Sequence, residues 1–122
     1  MGLDISHNAW HGAYSAFMRW RMKIAEVSGL PDLNKMEGFT DDKNAIKFDT
    51  KHPLTPLLYH SDCDGYINRS KLPGIIDALT KILPFLEKED GGGHIGNYAE
   101  KTQTFIDGCK LALEKKQRLE FH

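Results

Sequence analysis

Apolar residues recur along the chain at two spacings, which distinguish predicted helices from predicted strands. Over residues 9–27, 72–86 and 97–117 they follow one another at three- and four-residue steps, the spacing of one face of an amphipathic helix. The first pattern ends at Gly29, and residues 31–53 show no sustained period. The sequence therefore predicts three principal helices, with a short helical turn and a long loop after the first.

Strands are expected near both termini and once in the middle of the chain. Residues 2–6 and residues 119–122 alternate between apolar and polar positions. Residues 54–60 are largely apolar and are typical of a central strand, although Pro56 restricts them to a strand start or an edge. Because terminal strands commonly pair, we predict one α+β domain over residues 1–122, with about three helices packed on a small sheet that includes the N- and C-terminal strands.

Composition narrows the class of protein. A chain of 122 residues is about one domain, and 40% apolar against 27% charged residues is enough for a folded core. The formal net charge of -1 argues against non-specific binding to nucleic acid, which requires a basic surplus. The 2 cysteines form no C-x-x-C pair, and neither a secretion signal nor an apolar run of about 20 residues is present. We therefore expect a cytoplasmic protein without membrane contact.

The segment His60-Ser61-Asp62-Cys63-Asp64-Gly65 carries the sharpest chemical signal. It places one imidazole and two carboxylates within five residues after an apolar run, and such groups readily converge on a divalent cation. We therefore predict that His60, Asp62 and Asp64 bind a divalent metal (Zn, Mn or Mg). The structural alternative is an Asx-rich turn, in which Asp62 and Asp64 accept hydrogen bonds from their own backbone.

Further ligands are expected near the N-terminus. His7 and His11 are four residues apart, so a helix that begins by His7 would place both rings on one face. We predict that His7 and Asp4 complete the metal site and that His11 is a catalytic residue. In the alternative interpretation, both histidines are polar residues at a helix start, where they satisfy free backbone groups.

A glycine-rich stretch precedes the last predicted helix. The backbone N–H groups of Gly91, Gly92 and Gly93 can hold a phosphate at the helix N-terminus, although the G-K-[ST] ending of a P-loop is absent. His94 is the candidate acid or base, since an imidazole can pass a proton near neutral pH. A flexible linker is the alternative. No serine has the G-x-S-x-G context of a nucleophile elbow, so acyl transfer is not expected.

Two short motifs resemble known metal sites. The pattern D-x-D-G-x-I, from Asp62 to Ile67, resembles the middle of an EF-hand calcium loop, but His60 and Lys71 stand at its first and last ligand positions. The pattern H-x-D-x-D-G resembles the first metal-binding motif of the DHH phosphoesterase superfamily, which hydrolyses phosphoesters at a two-metal site. The D-H-H triplet and the two-domain length of that superfamily are missing. The resemblance therefore implies metal chemistry rather than membership.

Four segments together resemble a family of small proteins found in bacteria and their phages. They are Met1–His7, Trp10–Tyr14, His60–Gly65 and Gly93–Gly96, and the resemblance extends over nearly the full chain. It implies no particular activity. A phage setting is compatible with a protein that destroys or sequesters a small molecule, as some phage proteins do with the nucleotide signals of host immunity.

The leading hypothesis is a pocket protein that acts on or binds a phosphorylated, nucleotide-like ligand, by divalent-metal-dependent phosphoester hydrolysis. The first alternative is a non-catalytic protein that binds and sequesters a nucleotide-derived signal. Without a metal, such a pocket would need Arg19, Arg69 or Lys71, from the same chain or from a second subunit of a homo-oligomer. The second alternative is a structural or partner-binding domain.

Overall fold

The chain begins with a β-hairpin, whereas its apolar spacing predicts a strand followed by a helix. A computed structural model describes residues 2–37, 40–47, 51–60, 65–86 and 98–121. Strand β1 (Gly2–Ile5) pairs antiparallel with β2 (Trp10–Ala13), and the hairpin turn (Ser6–Asn8) joins them. The predicted first strand is confirmed. The predicted helix start at residue 9 is wrong, because residues 10–13 pair with β1 and the helix begins only at Tyr14.

Three long helices form the bulk of the fold, as predicted. They are α1 (Tyr14–Val27), α3 (Leu72–Leu86) and α4 (Tyr98–Glu114), and α3 packs along α4. Gly29 closes α1 in a left-handed conformation with φ 77°, which glycine adopts without steric cost. Within the ranges described, none of the helices has the length and apolar character needed to cross a membrane.

The apolar run after residue 53 is a short helix, and the predicted central strand there is wrong. Helix α2 (Thr55–Leu58) has Pro56 in its first turn, where the missing N–H of proline removes no helical hydrogen bond. Leu57 and Leu58 are both fully buried. Two adjacent buried side chains fit a helix turn enclosed by other elements as well as they fit a strand, so local sequence does not distinguish the two. The short helical turn predicted after α1 lies at Leu33–Lys35.

The C-terminal strand pairs with a strand from the middle of the chain. Strand β3 (Tyr66–Ile67) runs antiparallel to β4 (Leu119–Glu120), and this pair is a sheet separate from the hairpin. An isolated bridge between Ile5 and Phe121 links the two chain ends. The α+β class with paired N- and C-terminal segments is thereby confirmed. The connection between the ends is a single bridge rather than a full ladder.

Aromatic rings fill the interior between the hairpin and the helices. The ring of Trp20 lies 5.3 Å from that of Trp10 and 5.1 Å from that of Phe105, measured between centroids. The indole N–H of Trp20 donates to the hydroxyl of Thr102 at 2.8 Å. Cys109 is fully buried, as its place in the apolar stripe of α4 predicts, and burial raises the pKa of its thiol to about 12. A thiolate nucleophile at this position is therefore excluded.

Candidate functional site

The hairpin turn holds two consecutive residues in the left-handed region of backbone conformation. His7 has φ 62° and Asn8 has φ 57°. Within the described ranges, the remaining non-glycine residue of this kind is Lys116, with φ 57°, at the second position after the end of α4. Each such residue costs about 1 to 3 kcal/mol, so the fold must hold it in place. These three positions lie close to one another in the fold, because His7 contacts Gln117.

The end of α4 fixes Gln117 in space. The backbone N–H of Gln117 donates to the Ala112 carbonyl at 2.8 Å, and that of Lys116 donates to the Leu113 carbonyl at 3.0 Å. This pair of bonds is a Schellman motif, in which the left-handed residue is usually glycine but is Lys116 here. The chain leaves the helix at a defined angle, and the Gln117 side chain lies against the hairpin turn.

A chain of hydrogen bonds connects the two ends of the protein through His7. The ring Nε2 of His7 lies 2.8 Å from Gln117 Oε1, and the ring Nδ1 lies 2.9 Å from Ser6 Oγ. The Gln117 carbonyl oxygen accepts, so Nε2 carries the proton, and Nδ1 of a neutral ring accepts the Ser6 hydroxyl proton. The backbone N–H of Glu120 donates to Ser6 Oγ at 2.9 Å. Both ring nitrogens and the serine oxygen therefore have defined partners.

This hydrogen-bond chain forms the wall of an open cavity of about 470 Å³. We call it the terminal cavity, and it is lined by Ser6, His7, Gln117, Arg118 and Glu120. Its volume falls within the range of about 300 to 1,000 Å³ that small-molecule sites occupy. Two parts from opposite ends of the sequence build it, namely the hairpin turn and the segment that follows α4, including Glu120 of β4.

Positive charge and an exposed aromatic ring lie beside the terminal cavity. The guanidinium of Arg118 stacks over the Tyr66 ring, with its carbon 3.9 Å from the ring centroid, and also contacts Glu120 at 3.3 Å. Tyr66 remains 47% exposed. Arg69 donates to the Lys116 carbonyl at 3.3 Å, so a second guanidinium lies beside the end of α4. Arg69 is one of the cations that a metal-free phosphate pocket was expected to need.

The remaining predicted N-terminal residues form a separate pair. Asp4 and His11 are cross-strand neighbours in the hairpin, and Asp4 accepts a hydrogen bond from the His11 ring. Their side chains are 62% and 87% exposed. The helical spacing argument for His7 and His11 is wrong, because His7 lies in the turn and His11 lies in β2. The roles of Asp4 in metal binding and of His11 in catalysis stay predictions.

His60 is held by its neighbours on several sides. Its Nε2 donates to the Tyr66 carbonyl at 2.9 Å, and its ring stacks on Phe121 with centroids 4.1 Å apart. Gly65, with φ 93°, lies so close that a Cβ there would be 3.3 Å from the His60 ring. A ring nitrogen that donates to a carbonyl is not a metal ligand at the same time, so Nδ1 is the atom that metal binding by His60 would require.

Several predicted site residues lie outside the described residues. They are the carboxylates Asp62 and Asp64, the glycines Gly91, Gly92 and Gly93, and His94. Within the ranges that the structure does describe, no three His, Cys, Asp or Glu side chains are grouped so that they could hold a metal ion. Divalent-metal binding by His60, Asp62, Asp64, His7 and Asp4 therefore stays a prediction.

A buried arginine positions the backbone next to His60, and sequence analysis does not single it out. Arg21 is 1% exposed and donates to the carbonyls of His60 at 2.7 Å and Leu58 at 3.4 Å. Its guanidinium also lies 4.7 Å from the Phe17 ring centroid. The signal in the sequence is its position, because Arg21 stands four residues after Phe17 in the apolar stripe of α1, where a charged residue requires buried partners.

Gln117 and Arg118 are likewise missed by sequence analysis. They stand in a polar run between a helix and a strand, and no motif or spacing distinguishes them from the lysines before them.

Comparison of the chain with protein-family models, with curated proteins and with solved structures gave no match. The function is therefore argued from the geometry of the terminal cavity.

Proposed function

We propose that the protein binds a phosphorylated, nucleotide-like small molecule in the terminal cavity. The observation that carries the proposal is the cavity itself, in which polar side chains from both chain ends meet beside Arg118 stacked on an exposed Tyr66. A guanidinium is suited to a phosphate because it offers several N–H donors in one plane. Glu120 is one negative charge at this site, against Arg118 and the neighbouring Arg69.

Tyr66 supports a nucleotide rather than a bare phosphate. Its ring pairs with Arg118, and 47% of the residue is exposed beside that cation. Stacking of a base on such a ring contributes about 1 to 3 kcal/mol and tolerates different bases. The side-chain N–H groups of Gln117, whose oxygen bonds to His7, add hydrogen-bond donors to the lining of the cavity.

The direct test is calorimetric titration with a panel of nucleoside monophosphates, linear dinucleotides and cyclic dinucleotides, with inorganic phosphate for comparison. We expect at least one nucleotide to bind and Arg118→Gln to weaken it about tenfold or more, because a charge-assisted contact is lost. Arg19→Gln is the matched control, since Arg19 is exposed on α1 and does not line the cavity. Tyr66→Leu should weaken the nucleotide and leave inorganic phosphate unchanged. Equal effects of the two arginine variants, or no binding by any nucleotide, would refute the proposal.

Metal-dependent phosphoester hydrolysis is tested in the same protein. Elemental analysis and titration with zinc, manganese and magnesium are made on the wild type and on the double variant Asp62→Ala/Asp64→Ala. Stoichiometric metal that is lost in the double variant would support a hydrolase in which the metal polarises the phosphoester. Nucleotide binding that persists in chelator, with no metal bound, would favour sequestration without a metal.

A further inference from the structure

We propose that Ser6 is a nucleophile for phosphoesters, with His7 as its general base and Gln117 as a positioning residue. The substrate class rests on the proposed binding of a phosphorylated ligand in the terminal cavity. The reactive serine rests on separate observations, namely the hydrogen bonds from Ser6 to His7 and from His7 to Gln117. A nucleophile bonded to a base, and a base bonded to a third group, is the arrangement that activates a serine in hydrolases.

The hydrogen bonds select the protonation state that the reaction needs. Gln117 Oε1 accepts the proton on His7 Nε2 at 2.8 Å, which leaves the lone pair of Nδ1 directed at Ser6 Oγ, 2.9 Å away. The Glu120 N–H donates to the same Oγ, so the serine oxygen is fixed from a second direction. A histidine whose tautomer and ring orientation are both determined is prepared to take a proton from the serine.

Backbone strain points to the same residues. The left-handed conformation of His7 brings its ring to Gln117, which is 110 residues away in sequence. The strained Lys116 immediately precedes Gln117, where glycine would be the usual choice. Strain of this kind is concentrated at active sites, because the surrounding fold must maintain it against an easier alternative. Here it falls on His7, the proposed base, and on Lys116, the neighbour of Gln117.

The reaction balances with water as the sole co-reactant. Ser6 Oγ attacks phosphorus, the bond from phosphorus to the leaving alcohol breaks, and the serine proton moves to His7 Nδ1. The leaving oxygen takes that proton as the alcohol departs. Water then attacks the phosphorus of the phosphoserine, and the bond from phosphorus to Ser6 Oγ breaks, which releases the phosphate. The water gives one proton to His7 Nδ1, and the departing serine oxygen takes that proton from the ring. Arg118, which lines the cavity, is placed to neutralise charge on the phosphoryl oxygens.

The test is covalent labelling with a fluorophosphonate probe, followed by intact mass and peptide mapping. The serine oxygen displaces fluoride from phosphorus, so labelling reports the nucleophile without requiring a nucleotide. We expect one adduct per chain, on Ser6, and none in Ser6→Ala. Ser15→Ala is the control, because Ser15 is an exposed serine on α1 and should not change the rate. No adduct on Ser6, or equal labelling of several serines, would overturn the proposal.

Variants of His7 and Gln117 distinguish an effect on the reactivity of Ser6 from an effect on folding. His7→Asn should slow labelling at least 100-fold, a typical contribution of a general base being about 10² to 10⁴, while asparagine retains access to the left-handed conformation. Gln117→Leu should slow labelling about tenfold or more, and Gln117→Glu should restore it because a carboxylate also accepts the Nε2 proton. Melting temperatures are compared in parallel. Equal rates for the leucine and glutamate variants would overturn the positioning role.

The two proposals fail in different ways. If nucleotides bind to both the wild type and Ser6→Ala but Ser6 is not labelled, the nucleophile is refuted and the binding function stands. If Ser6 is labelled but no nucleotide binds, the nucleophile is supported and its phosphoester substrate is refuted.

Discussion

The two sides of the hairpin turn show opposite physical character. On the inner side, Ala9 is fully buried and lies against Gly108 of α4 so closely that a Cβ on Gly108 would be 2.5 Å from the Ala9 Cα. On the outer side, His7 and Ser6 line an open cavity and are held by hydrogen bonds to Gln117 and Glu120. Residues only two positions apart, His7 and Ala9, therefore belong to an accessible polar site and to a close-packed interior.

The difference shows which property each side is built to preserve. The interior depends on volume, because a close-packed core has no space for added atoms and leaves unpaired any polar group whose partner is removed. The terminal cavity depends on the direction of hydrogen bonds at exposed groups, which contribute little net stability. We therefore expect substitutions inside to lower stability strongly and substitutions at the cavity to change reactivity with little effect on stability.

The largest loss of stability is expected for Arg21→Met. The change leaves the carbonyls of Leu58 and His60 without the donor they have in the wild type, which should lower the free energy of unfolding by about 3 kcal/mol. Urea denaturation measures it. Arg19→Met is the matched control on the same helix, and its exposed side chain should cost less than about 0.5 kcal/mol. Equal losses would contradict the distinction between interior and surface.

The contact between the turn and α4 is tested by Gly108→Ala. Alanine normally favours a helix over glycine by about 1 kcal/mol, but here its Cβ would overlap Ala9, and we expect a net loss of about 2 kcal/mol. The measurement is again urea denaturation. In Gly12→Ala the nearest atom to the new Cβ is Trp10 Nε1 at 3.5 Å, so no loss is expected. A more stable Gly108→Ala protein would show that the inner side is not close-packed.

A buried hydrogen bond gives a third test of the interior. Thr102 and Thr104 both donate their hydroxyls to the carbonyl one turn earlier in α4, but Thr102 also accepts from the Trp20 indole. Thr102→Val should therefore cost about 1.5 kcal/mol, since it leaves a buried N–H without an acceptor. Thr104→Val should cost much less, because Thr104 is exposed. The measurement is thermal unfolding of the two variants in parallel. Equal losses of stability would contradict a special role for the hydrogen bond from Trp20 to Thr102.

The buried Cys109 thiol makes the stability of the protein depend on pH. The pKa of the Cys109 thiol rises from 9.0 to about 12 on folding, so the folded state retains a proton that the unfolded state loses above pH 9. The contribution of the protonated Cys109 thiol to the free energy of unfolding is complete below pH 9 and falls as the pH rises towards 12. Between pH 8 and pH 10 the loss should be about 1.4 kcal/mol, and Cys109→Ala should lack it. The same slope in both proteins would mean that the thiol stays accessible.

The smallest effect is expected at the exposed face of the hairpin. Asp4→Asn removes the charge partner of His11, and both side chains are more than half exposed. Exposed pairs typically contribute about 0.2 to 1 kcal/mol, and many contribute nothing measurable, so the melting temperature should change little. A large loss would show that this pair has a structural role beyond its exposure, and would weaken the contrast between the two sides of the turn.

Local sequence patterns are sufficient to predict the three long helices and much of the core. Helices α1, α3 and α4 were predictable because a helix repeats every 3.6 residues, so its buried stripe is recorded in one continuous segment. The burial of Cys109 followed from the same stripe. The strand at Gly2–Ile5 is predicted by its alternation of apolar and polar residues, which is also a local pattern.

Tertiary contacts select the conformation of the segments whose local pattern is ambiguous. Trp10 and Ala13 fit a helical stripe, yet residues 10–13 are a strand because the left-handed His7 and Asn8 turn the chain back onto β1. Helix α2 replaces a predicted strand because both buried leucines find partners in a single turn enclosed by the rest of the fold. Short apolar runs satisfy either geometry, and their surroundings select one of them.

The candidate site lay beyond local sequence for the same reason. His7 was identified from the sequence, but for a helical metal site, whereas its partner Gln117 is 110 residues away and carries no motif. Hydrogen bonds between distant residues depend on how β1, α4 and β4 pack. The spacing of apolar residues along the chain does not indicate that packing. The sequence determined which groups could do chemistry, and the folded chain decided which of them meet.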